Sequence, residues 1–316
     1  MNLINTNFTH LSCGLFNLNT PKIVVILAVY NGINWIGKQT HSILNQDNVN
    51  VSVFTSIDLS EDSSREFCIQ TSEHYKNFAV LPCVGRLGDA AKNFFRLMQD
   101  VDLTDFEYLS FADQDDIWDI TKLSLAIKML KETEADAYSS NVTAFWPDGK
   151  IKLIDKAQTQ RQFDYMFESA GPGCTFVLTQ KLALDLQNFL KKNQQACENV
   201  ALHDWFIYAF ARIKGYKWVI DKVPHMQYRQ HSNNVIGANV GLKAKLVRWQ
   251  KLRAGWLSSQ AILLAEIIGY NNHQVILRLK RNNFTDRLVL AFSVGKFRRK
   301  LTDRLVLAAS FLVGKN

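Results

Sequence analysis

The stretch Leu109–Trp118, LSFADQDDIW, places three aspartates after an apolar run and just before a tryptophan. The apolar run begins near Phe106 and predicts a buried β-strand that ends at the first of these acids. Negative charge at the border of a core is costly unless it is paired or bound to a cation. The acidic stretch therefore predicts a bound cation or ligand at Asp113, Asp115 and Asp116.

The residues around this stretch alternate between strand and helix patterns. Lys22–Tyr30 (KIVVILAVY) is a continuous β-branched apolar run, typical of a strand buried on both faces. We predict further strands at 49–57, 79–84, 106–112, 137–145 and 174–179, and helices at 35–44, 65–75, 90–100, 121–134, 181–191, 201–213 and 242–268. Strands that alternate with helices predict an α/β fold with a mostly parallel, doubly wound sheet.

The predicted sheet should bring acidic residues together at one edge. Ligands of an open parallel sheet bind in the crevice beyond the carboxyl ends of its strands. Asp58 follows the second strand, Asp113 and Asp115 follow the fourth, and Asp204 begins a later helix. Carboxylate oxygens select hard divalent cations such as Mg²⁺ or Mn²⁺, which bridge to substrate phosphates. The alternative is a surface turn whose acids cap the helix near Thr121, but the position after a buried strand favours a metal-bound diphosphate.

Composition narrows the class of protein. The chain has 316 residues, of which 47% are apolar and 21% charged, as expected for a globular catalytic domain with an appendage. Five scattered cysteines without a CxxC pair argue against a disulfide framework or a zinc site, and they suit a reducing cytoplasm. The N-terminal segment MNLINTNFTHLSCGLF has neither a basic region nor a long apolar core, so we expect no signal peptide.

Positive charge is concentrated in the C-terminal part of the chain. Residues 242–316 contain fifteen Lys/Arg and three Asp/Glu, a net charge of +12; because the whole chain carries +8, residues 1–241 carry −4. Two similar segments, TDRLVLAFSVGK (285–296) and TDRLVLAASFLVGK (302–315), flank the basic sequence FRRK (297–300). Each apolar block is too short to cross a bilayer core of ~30 Å. A helix in the membrane interface and a helix pair packed on the body both remain open.

Five motifs in order carry a resemblance to a known family: AVYNG (28–32), SIDLSEDSS (56–64), FADQDDIW (111–118), HDWF (203–206) and YRQHSNNVIGAN (228–239). Together they resemble family 2 glycosyltransferases, especially the rhamnosyltransferase-like enzymes that build bacterial surface polysaccharides. The resemblance spans about residues 22–239. It implies a GT-A fold, which is a nucleotide-diphospho-sugar transferase fold with a Rossmann-like mixed sheet. It also implies a nucleotide-sugar donor, a divalent metal, and inversion at the anomeric carbon.

The resemblance implies a role for each matching position. It implies nucleotide-sugar binding by Ala28, Tyr30, Asp58, Arg86, Asn93 and Asp113. It implies that Gly171, Gly173 and Trp205 line the donor sugar and the acceptor. Asp115 and His231 are implied to bind Mg²⁺ or Mn²⁺, and Asp204 is the implied catalytic base. From the residues alone, Asp204 suits a helix cap as well as a base, and His231 suits an ordinary surface histidine as well as a metal ligand. For Trp205, packing in the core is the commoner function of a tryptophan.

Three functions are compatible with these observations. The first is an inverting glycosyltransferase that moves a sugar such as L-rhamnose from a dTDP-sugar or UDP-sugar to a saccharide or polyprenyl-linked acceptor in O-antigen or capsule synthesis. The second is a metal-dependent sugar nucleotidyltransferase, which usually has a Gly-rich basic loop that AVYNGINW lacks. The third is a non-catalytic basic protein that binds membrane or nucleic acid, which would leave the acids at the strand ends unexplained.

We favour the glycosyltransferase, without a nucleic-acid partner. Residues 22–241 would form the catalytic domain, preceded by an N-terminal extension over 1–21. Residues 242–316 would form a basic, mostly helical extension. Because basic segments seek anionic surfaces, we expect a cytoplasmic protein attached peripherally to the inner face of the cytoplasmic membrane.

Overall fold

A computed structural model describes residues 20–231, 250 and 254–313 of the chain. The N-terminal extension up to residue 19, the motif residues 232–239 and most of the predicted helix before 254 lie outside the described residues. The strands are β1 (Lys22–Val29), β2 (Asn50–Ile57), β3 (Phe78–Val80), β4 (Tyr108–Asp113), β5 (Ile117–Trp118), β6 (Ala137–Ser140), β7 (Val142–Phe145), β8 (Ile151–Ile154), β9 (Val177–Thr179), β10 (Trp218–Asp221) and β11 (Met226–Arg229). The helices are α1 (Ile33–Leu44), α2 (Ser64–His74), α3 (Ala90–Asp100), α4 (Lys122–Thr133), α5 (Gln180–Lys192), α6 (Gln194–Cys197), α7 (His203–Ile213), α8 (Trp256–Ile268), α9 (Gln274–Arg281), α10 (Phe284–Phe292) and α11 (Leu301–Val313).

The larger sheet has seven strands in the order β10-β6-β9-β4-β1-β2-β3. β1 pairs in parallel with β2 and β4, whereas β9 runs antiparallel between β4 and β6. The sheet is therefore mixed, as the resemblance implies, and not mostly parallel throughout, because an apolar run does not reveal the direction of its strand. Val24 and Ile26 join the apolar cluster on one face, and Val25 and Leu27 join the cluster on the other. This confirms that β1 is buried on both faces.

The register of β1 brings three strand ends side by side. Ala28 lies opposite Ser56 of β2 on one side and opposite Asp113 of β4 on the other. The loops that follow β1, β2 and β4 therefore leave the sheet at the same edge. This edge is where an open sheet of parallel strands binds its ligand.

A smaller sheet of four strands, in the order β5-β11-β7-β8, was not predicted from the sequence. The predicted strand 137–145 is divided at Asn141 between β6 of the large sheet and β7 of the small one. The Asn141 side chain donates to the Lys222 carbonyl oxygen (2.9 Å) and accepts the backbone N–H groups of Lys156 (2.6 Å) and Ala157 (3.0 Å). This asparagine therefore ties the break between the sheets to two distant segments. The predicted strand 174–179 is also shorter, because Gly173–Thr175 forms a 3₁₀ turn.

The C-terminal helices pack on the body of the protein. Phe297 and Phe311 are both 1% exposed, and their rings lie 4.7 and 6.2 Å from the ring of Phe167, between centroids. Leu257 and Ala261 of α8 belong to the same apolar cluster as residues of the sheet. Of the two alternatives that the sequence left open, the described residues thus form the packed helix pair. In the described ranges, no helix has the length and apolar character needed to span a bilayer.

The two arginines of the basic segment FRRK are buried in ion pairs. Arg299, 3% exposed, donates to Asp164 Oδ2 (3.0 Å) and to the Ser169 carbonyl oxygen (2.5 Å), and its backbone N–H donates to Glu168 Oε1 (2.7 Å). Tyr208 of α7 also donates to the Asp164 carboxylate (3.1 Å). Acidic residues of the catalytic domain therefore pair with an arginine of the basic segment, which the sequence analysis expected to face a membrane surface. The pattern of charge did not reveal these partners.

Candidate active site

A cavity of about 1200 Å³ opens at the carboxyl ends of β1, β2 and β4. Apart from Arg86, the site residues implied by the resemblance all border it: Ala28, Tyr30, Asp58, Asn93, Asp113, Asp115, Gly171, Gly173, Asp204, Trp205 and His231. Arg86 is exposed on the loop between β3 and α3 and does not line the cavity. Single-ligand pockets measure roughly 300–1,000 Å³, so this cavity has room for two substrates.

Gln114, between the two aspartates of the predicted metal motif, fixes the loop after β1. Its Oε1 accepts the backbone N–H of Tyr30 (2.8 Å), and its Nε2 donates to the Tyr30 carbonyl oxygen (2.7 Å). A Cβ atom on Gly32 would overlap the end of the Gln114 side chain, so a larger residue there would displace this amide. The sequence analysis assigned no function to Gln114. Its position between two aspartates at the end of a strand could have indicated that it contributes to the site.

The polar cluster after β2 binds the same loop. The backbone N–H groups of Asn31, Gly32 and Ile33 donate to Ser60 Oγ (3.0 Å), Ser64 Oγ (2.8 Å) and Asp62 Oδ2 (3.1 Å), respectively. The hydroxyl and carboxylate groups of this cluster join two neighbouring loops at the edge of the cavity.

Asp58 anchors a third loop. Its Oδ1 accepts the backbone N–H of Leu87 (2.7 Å) and its Oδ2 accepts that of Gly88 (2.6 Å). Gly88 has a φ of +75°, which a glycine adopts without the steric cost of a Cβ. A carboxylate offers about four acceptor positions, so Asp58 can hold this loop and still accept a further N–H from a ligand.

Asp115 and His231 lie in direct contact at the cavity. His231 Nε2 is 2.6 Å from Asp115 Oδ2, and the imidazole stacks on Trp35 with 4.1 Å between ring centroids. The two implied metal ligands are therefore neighbours, although they are 116 residues apart in sequence. The carboxylate oxygens of Asp115 suit Mg²⁺ or Mn²⁺, and an imidazole is a ligand of transition metals, so the two residues fit Mn²⁺ better than Mg²⁺.

Two carboxyl groups at the end of β4 have raised pKa values and are therefore less readily ionised. Burial, with a further contribution from the charge of Asp115, raises the pKa of Asp113 to about 7. Burial also raises the pKa of Asp116, which is fully buried and accepts the backbone N–H of Arg229 (3.2 Å). Asp116 therefore faces the protein interior while Asp113 and Asp115 border the cavity. A divalent cation would offset the repulsion between the carboxylates.

A second group of potential ligands lies beneath these residues. Asp113, Asp116 and Cys174 have ligand atoms within 4.8 Å of one another. Burial raises the pKa of the Cys174 thiol well above its usual value, so the thiolate form that binds metals is disfavoured. Hard cations also prefer oxygen ligands. This group therefore fits the implied cation less well than Asp115 and His231.

Asp204 is the second residue of α7, not its cap. Leu202 occupies the N-cap position, and Asp204 Oδ1 accepts the backbone N–H of Trp205 (2.7 Å). Burial raises the pKa of Asp204 to about 6, against opposing contributions from that N–H group and from Lys156. A carboxylate with this pKa is a stronger base than an exposed aspartate and is still ionised at neutral pH.

The residues around Asp204 restrict the loop that faces it. Burial lowers the pKa of His203 to about 3, and its Nε2 has no hydrogen-bond partner among the described residues. A Cβ atom on Gly173 would lie 2.5 Å from His203 Nε2 and 3.2 Å from Asp204 Cβ. Only glycine allows this approach, a requirement that the sequence did not reveal. Trp205 is 3% exposed and donates its indole N–H to the Tyr165 carbonyl oxygen (2.8 Å), so most of its ring lies in the core.

Comparison with known proteins identifies the family. Residues 24–183 match the model of Glycosyl transferase family 2, and the chain belongs to this family. It is 42% identical over 283 residues to the dTDP-rhamnosyl transferase RfbG of Shigella flexneri, a match that covers 88% of this chain and 96% of that protein. The protein is therefore a glycosyltransferase, as predicted. This decides against the nucleotidyltransferase and the non-catalytic alternatives.

Solved structures show the same fold. The crystal structure of S. aureus TarS 1–349 in complex with UDP has a TM-score of 0.55 at 15% identity and covers 92% of this chain and 88% of that chain. The UDP-GlcNAc complex of TarS 1–349 has a TM-score of 0.53 at 14% identity and covers 92% of this chain and 89% of that chain. At this identity the likeness concerns the fold, and it confirms the predicted GT-A architecture.

The close approach of Gly173 to Asp204 gives a test of the cavity. We expect Gly173→Ala to lower the rate of sugar transfer at least about tenfold, because the new methyl group would displace His203 and Asp204. Release of the nucleoside diphosphate measures this rate. Gly295→Ala is the matched control, since a Cβ there meets no atom within 4 Å. Wild-type turnover by a folded Gly173→Ala protein would show that this loop does not position Asp204.

Proposed function

We propose that this glycosyltransferase moves L-rhamnose from dTDP-L-rhamnose to a saccharide acceptor, with inversion at the anomeric carbon, in the synthesis of a surface polysaccharide. The observation that carries the donor is the 42% identity to a dTDP-rhamnosyl transferase along 88% of the chain. A UDP-sugar is the alternative donor, because structures with this fold bind UDP. The far lower identity of those structures makes dTDP the better supported nucleotide.

The nucleotide would bind at the ends of β1, β2 and β4. Tyr30 and Asp58 border the cavity there, on loops that Gln114 and the serines after β2 hold together, and Asn93 borders it from α3. Asn93 donates its Nδ2 to the Ser56 carbonyl oxygen (3.1 Å), while its Oδ1 has no partner in the described ranges. That oxygen is a candidate acceptor for a hydroxyl or N–H group of the donor. Asp58 would accept from the base, and Asp113 from the ribose.

The diphosphate would bind beside Asp115 and His231. These residues would hold Mg²⁺ or Mn²⁺, which as a Lewis acid stabilises the negative charge that develops on the leaving diphosphate. The loop 171–173 borders the cavity and would face the donor sugar.

Asp204 would act as the general base. As the acceptor oxygen attacks the anomeric carbon, its proton passes to the Asp204 carboxylate and the bond from carbon to the diphosphate oxygen breaks. A single displacement of this kind inverts the configuration at that carbon. Burial of Asp204 makes its carboxylate basic enough to take the proton, and the helix backbone fixes its position.

The pH dependence of transfer tests the base. Protonated Asp204 cannot accept a proton, and its pKa is about 6, so kcat/KM should be constant above pH 6 and fall about tenfold per unit below it. Asp204→Asn should lower transfer by about 10²-fold or more while dTDP binding, measured by calorimetry, is retained. Glu198→Gln, an exposed change outside the cavity, serves as the control. Normal turnover by Asp204→Asn would assign the base to another carboxylate.

The metal assignment is tested by thermal stabilisation. Ligands that bind the folded state raise the melting temperature. We expect dTDP with Mn²⁺ to stabilise the wild-type protein more than dTDP alone, and Asp115→Ala to lose both this increment and transfer. His231→Ala should weaken the Mn²⁺ response less, because water can fill the vacated position. Asp105→Asn, on the surface near the opposite end of β4, is the control. An Asp115→Ala protein that responds to Mn²⁺ like wild type would contradict the assignment.

We also propose that the protein attaches peripherally to the inner face of the cytoplasmic membrane and takes a polyprenyl-linked acceptor there. α11 packs on the body through Leu307 and Phe311, yet Leu301, Leu305 and Leu312 on its outer side are 66%, 65% and 48% exposed. Their spacing puts them on one helix face. A helix that is apolar on its outer side as well as its inner side is typical of a membrane interface.

Vesicle sedimentation tests this attachment. The double substitution Leu301→Ser, Leu305→Ser should lower the fraction bound to phosphatidylglycerol vesicles severalfold, because it removes apolar contact without altering the packed side of α11. Ile120→Ser, at an exposed position elsewhere on the body, is the matched control. A full-length wild-type protein that remains in the supernatant with these vesicles at low salt would rule out the attachment.

A further inference from the structure

The C-terminal helices form one wall of the cavity that contains Asp204. The residues of α11 and of the segment before it that border the cavity are Arg298, Lys300, Thr302, Asp303 and Val306. Trp256, the first residue of α8, borders it as well. These residues all follow the predicted end of the catalytic domain at residue 241. The cavity is therefore completed by a part of the chain that sequence analysis treated as an appendage.

Charged side chains connect this wall to the proposed base. Lys156, which borders the cavity after β8, lies close enough to Asp204 for its charge to lower the pKa of that carboxyl. Burial lowers the pKa of Lys156, while the charges of Glu168 and Asp303 oppose this shift and favour the charged form. Arg298 Nη1 lies 3.7 Å from Glu168 Oε2. A connected set of cations and carboxylates thus extends from Asp204 to α11.

The backbone of the wall is held rigidly. Arg299 is locked between Asp164 and the carbonyl oxygen of Ser169, as described above. Arg304 donates its Nε to the Arg298 carbonyl oxygen (2.9 Å) and its Nη2 to the Arg299 carbonyl oxygen (2.7 Å). The segment that leads into α11 is therefore fixed before any substrate binds. A binding surface fixed in advance loses less conformational freedom when its ligand arrives.

The composition of the wall indicates the class of ligand. Cations and carboxylates are balanced in number around this part of the cavity: Lys156, Arg298 and Lys300 against Glu168, Asp204 and Asp303. A diphosphate would meet repulsion from the carboxylates, whereas sugar hydroxyls both donate and accept hydrogen bonds. Trp256 adds an aromatic ring of the kind that packs on an apolar sugar face. Thr302 adds a hydroxyl group.

We propose that this wall is the acceptor subsite, in which Asp303 and Lys156 bind hydroxyl groups of the acceptor's terminal sugar and Trp256 packs against its ring. The subsite lies on the side of Asp204 formed by the C-terminal helices, away from the strand ends that take the donor. The assignment rests on the proposed glycosyl transfer, because it supplies the second substrate of the same cavity. It makes the C-terminal helices a determinant of acceptor specificity.

The test separates acceptor binding from donor binding. A panel of soluble n-octyl glycosides serves as acceptor, and the glycoside that wild type uses best is kept for all variants. Asp303→Asn and Trp256→Leu should each raise the acceptor KM at least about tenfold, as expected when a hydrogen bond to a charged group or a ring contact is lost. The donor KM, and the slow donor hydrolysis without acceptor, should stay within about twofold of wild type. Melting curves confirm that the variants are folded.

Matched controls and contrary outcomes complete the design. Glu266→Gln removes a carboxylate from α8 outside the cavity and should leave both KM values unchanged. An unchanged acceptor KM in both variants, or an equal rise in donor KM, would overturn the subsite. The subsite would also be overturned if inorganic diphosphate competed with the acceptor in wild type but not in Lys156→Gln. That result would indicate a phosphate site. If wild type ignores dTDP-L-rhamnose, the donor proposal fails, and the wall is tested with the nucleotide sugar that wild type does use.

Discussion

The buried carboxylate of Asp164 joins the parts of the molecule that must act together. Arg299 from the C-terminal segment and Tyr208 from α7 donate to it, and Arg212 Nη1 lies 3.3 Å from its Oδ1. Removing one partner of a buried ion pair costs about 3–5 kcal/mol, because the remaining charge is left without compensation. Through Arg299 the same interaction holds the carbonyl oxygen of Ser169, two residues before the loop that faces Asp204. The C-terminal helices, the loop 171–173 and α7 are thereby fixed to one another.

The end of the cavity formed by β1, β2 and β4 is organised by a different constraint, which is the parallel register of these three strands. Because β1 aligns with both β2 and β4, three loops leave the sheet together, and each contains a polar side chain that binds a neighbouring loop. Gln114 holds the loop after β1, Ser64 holds it from the other side, and Asp58 holds the loop before α3. The polar residues therefore have two functions: they satisfy buried backbone groups, and they fix the edge at which the nucleotide would bind.

The elements that could be predicted from the sequence are those with a local signal. β1 is an apolar run, α3 has helical spacing that ends at Asp100, and the acids at the strand ends converge because of sheet topology. β8 and β11 escaped prediction because they are four residues long, and β8 is largely exposed, so neither has an apolar run. Arg299 carried no local signal at all, because its partner Asp164 is 135 residues away. Charge counted along the chain likewise did not reveal that Arg298 and Arg299 pair with buried acids of the body.

The two ends of the cavity differ in charge, and this difference can order the reaction. At the strand ends Asp113 and Asp115 face the cavity together, and burial, with a further contribution from the charge of Asp115, raises the pKa of Asp113. A cation bound there would compensate the carboxylate charge. A metal-bound diphosphate supplies such a cation, so this end favours a charged ligand. At the opposite end, cations and carboxylates balance, and a neutral sugar can bind without a net electrostatic cost. Asp204 borders the cavity between these environments, where burial makes it basic while the helix backbone keeps it in place. A cation-bound diphosphate can thus bind at one end of the cavity and a neutral sugar at the other. The two substrates would then lie on opposite sides of the Asp204 carboxylate.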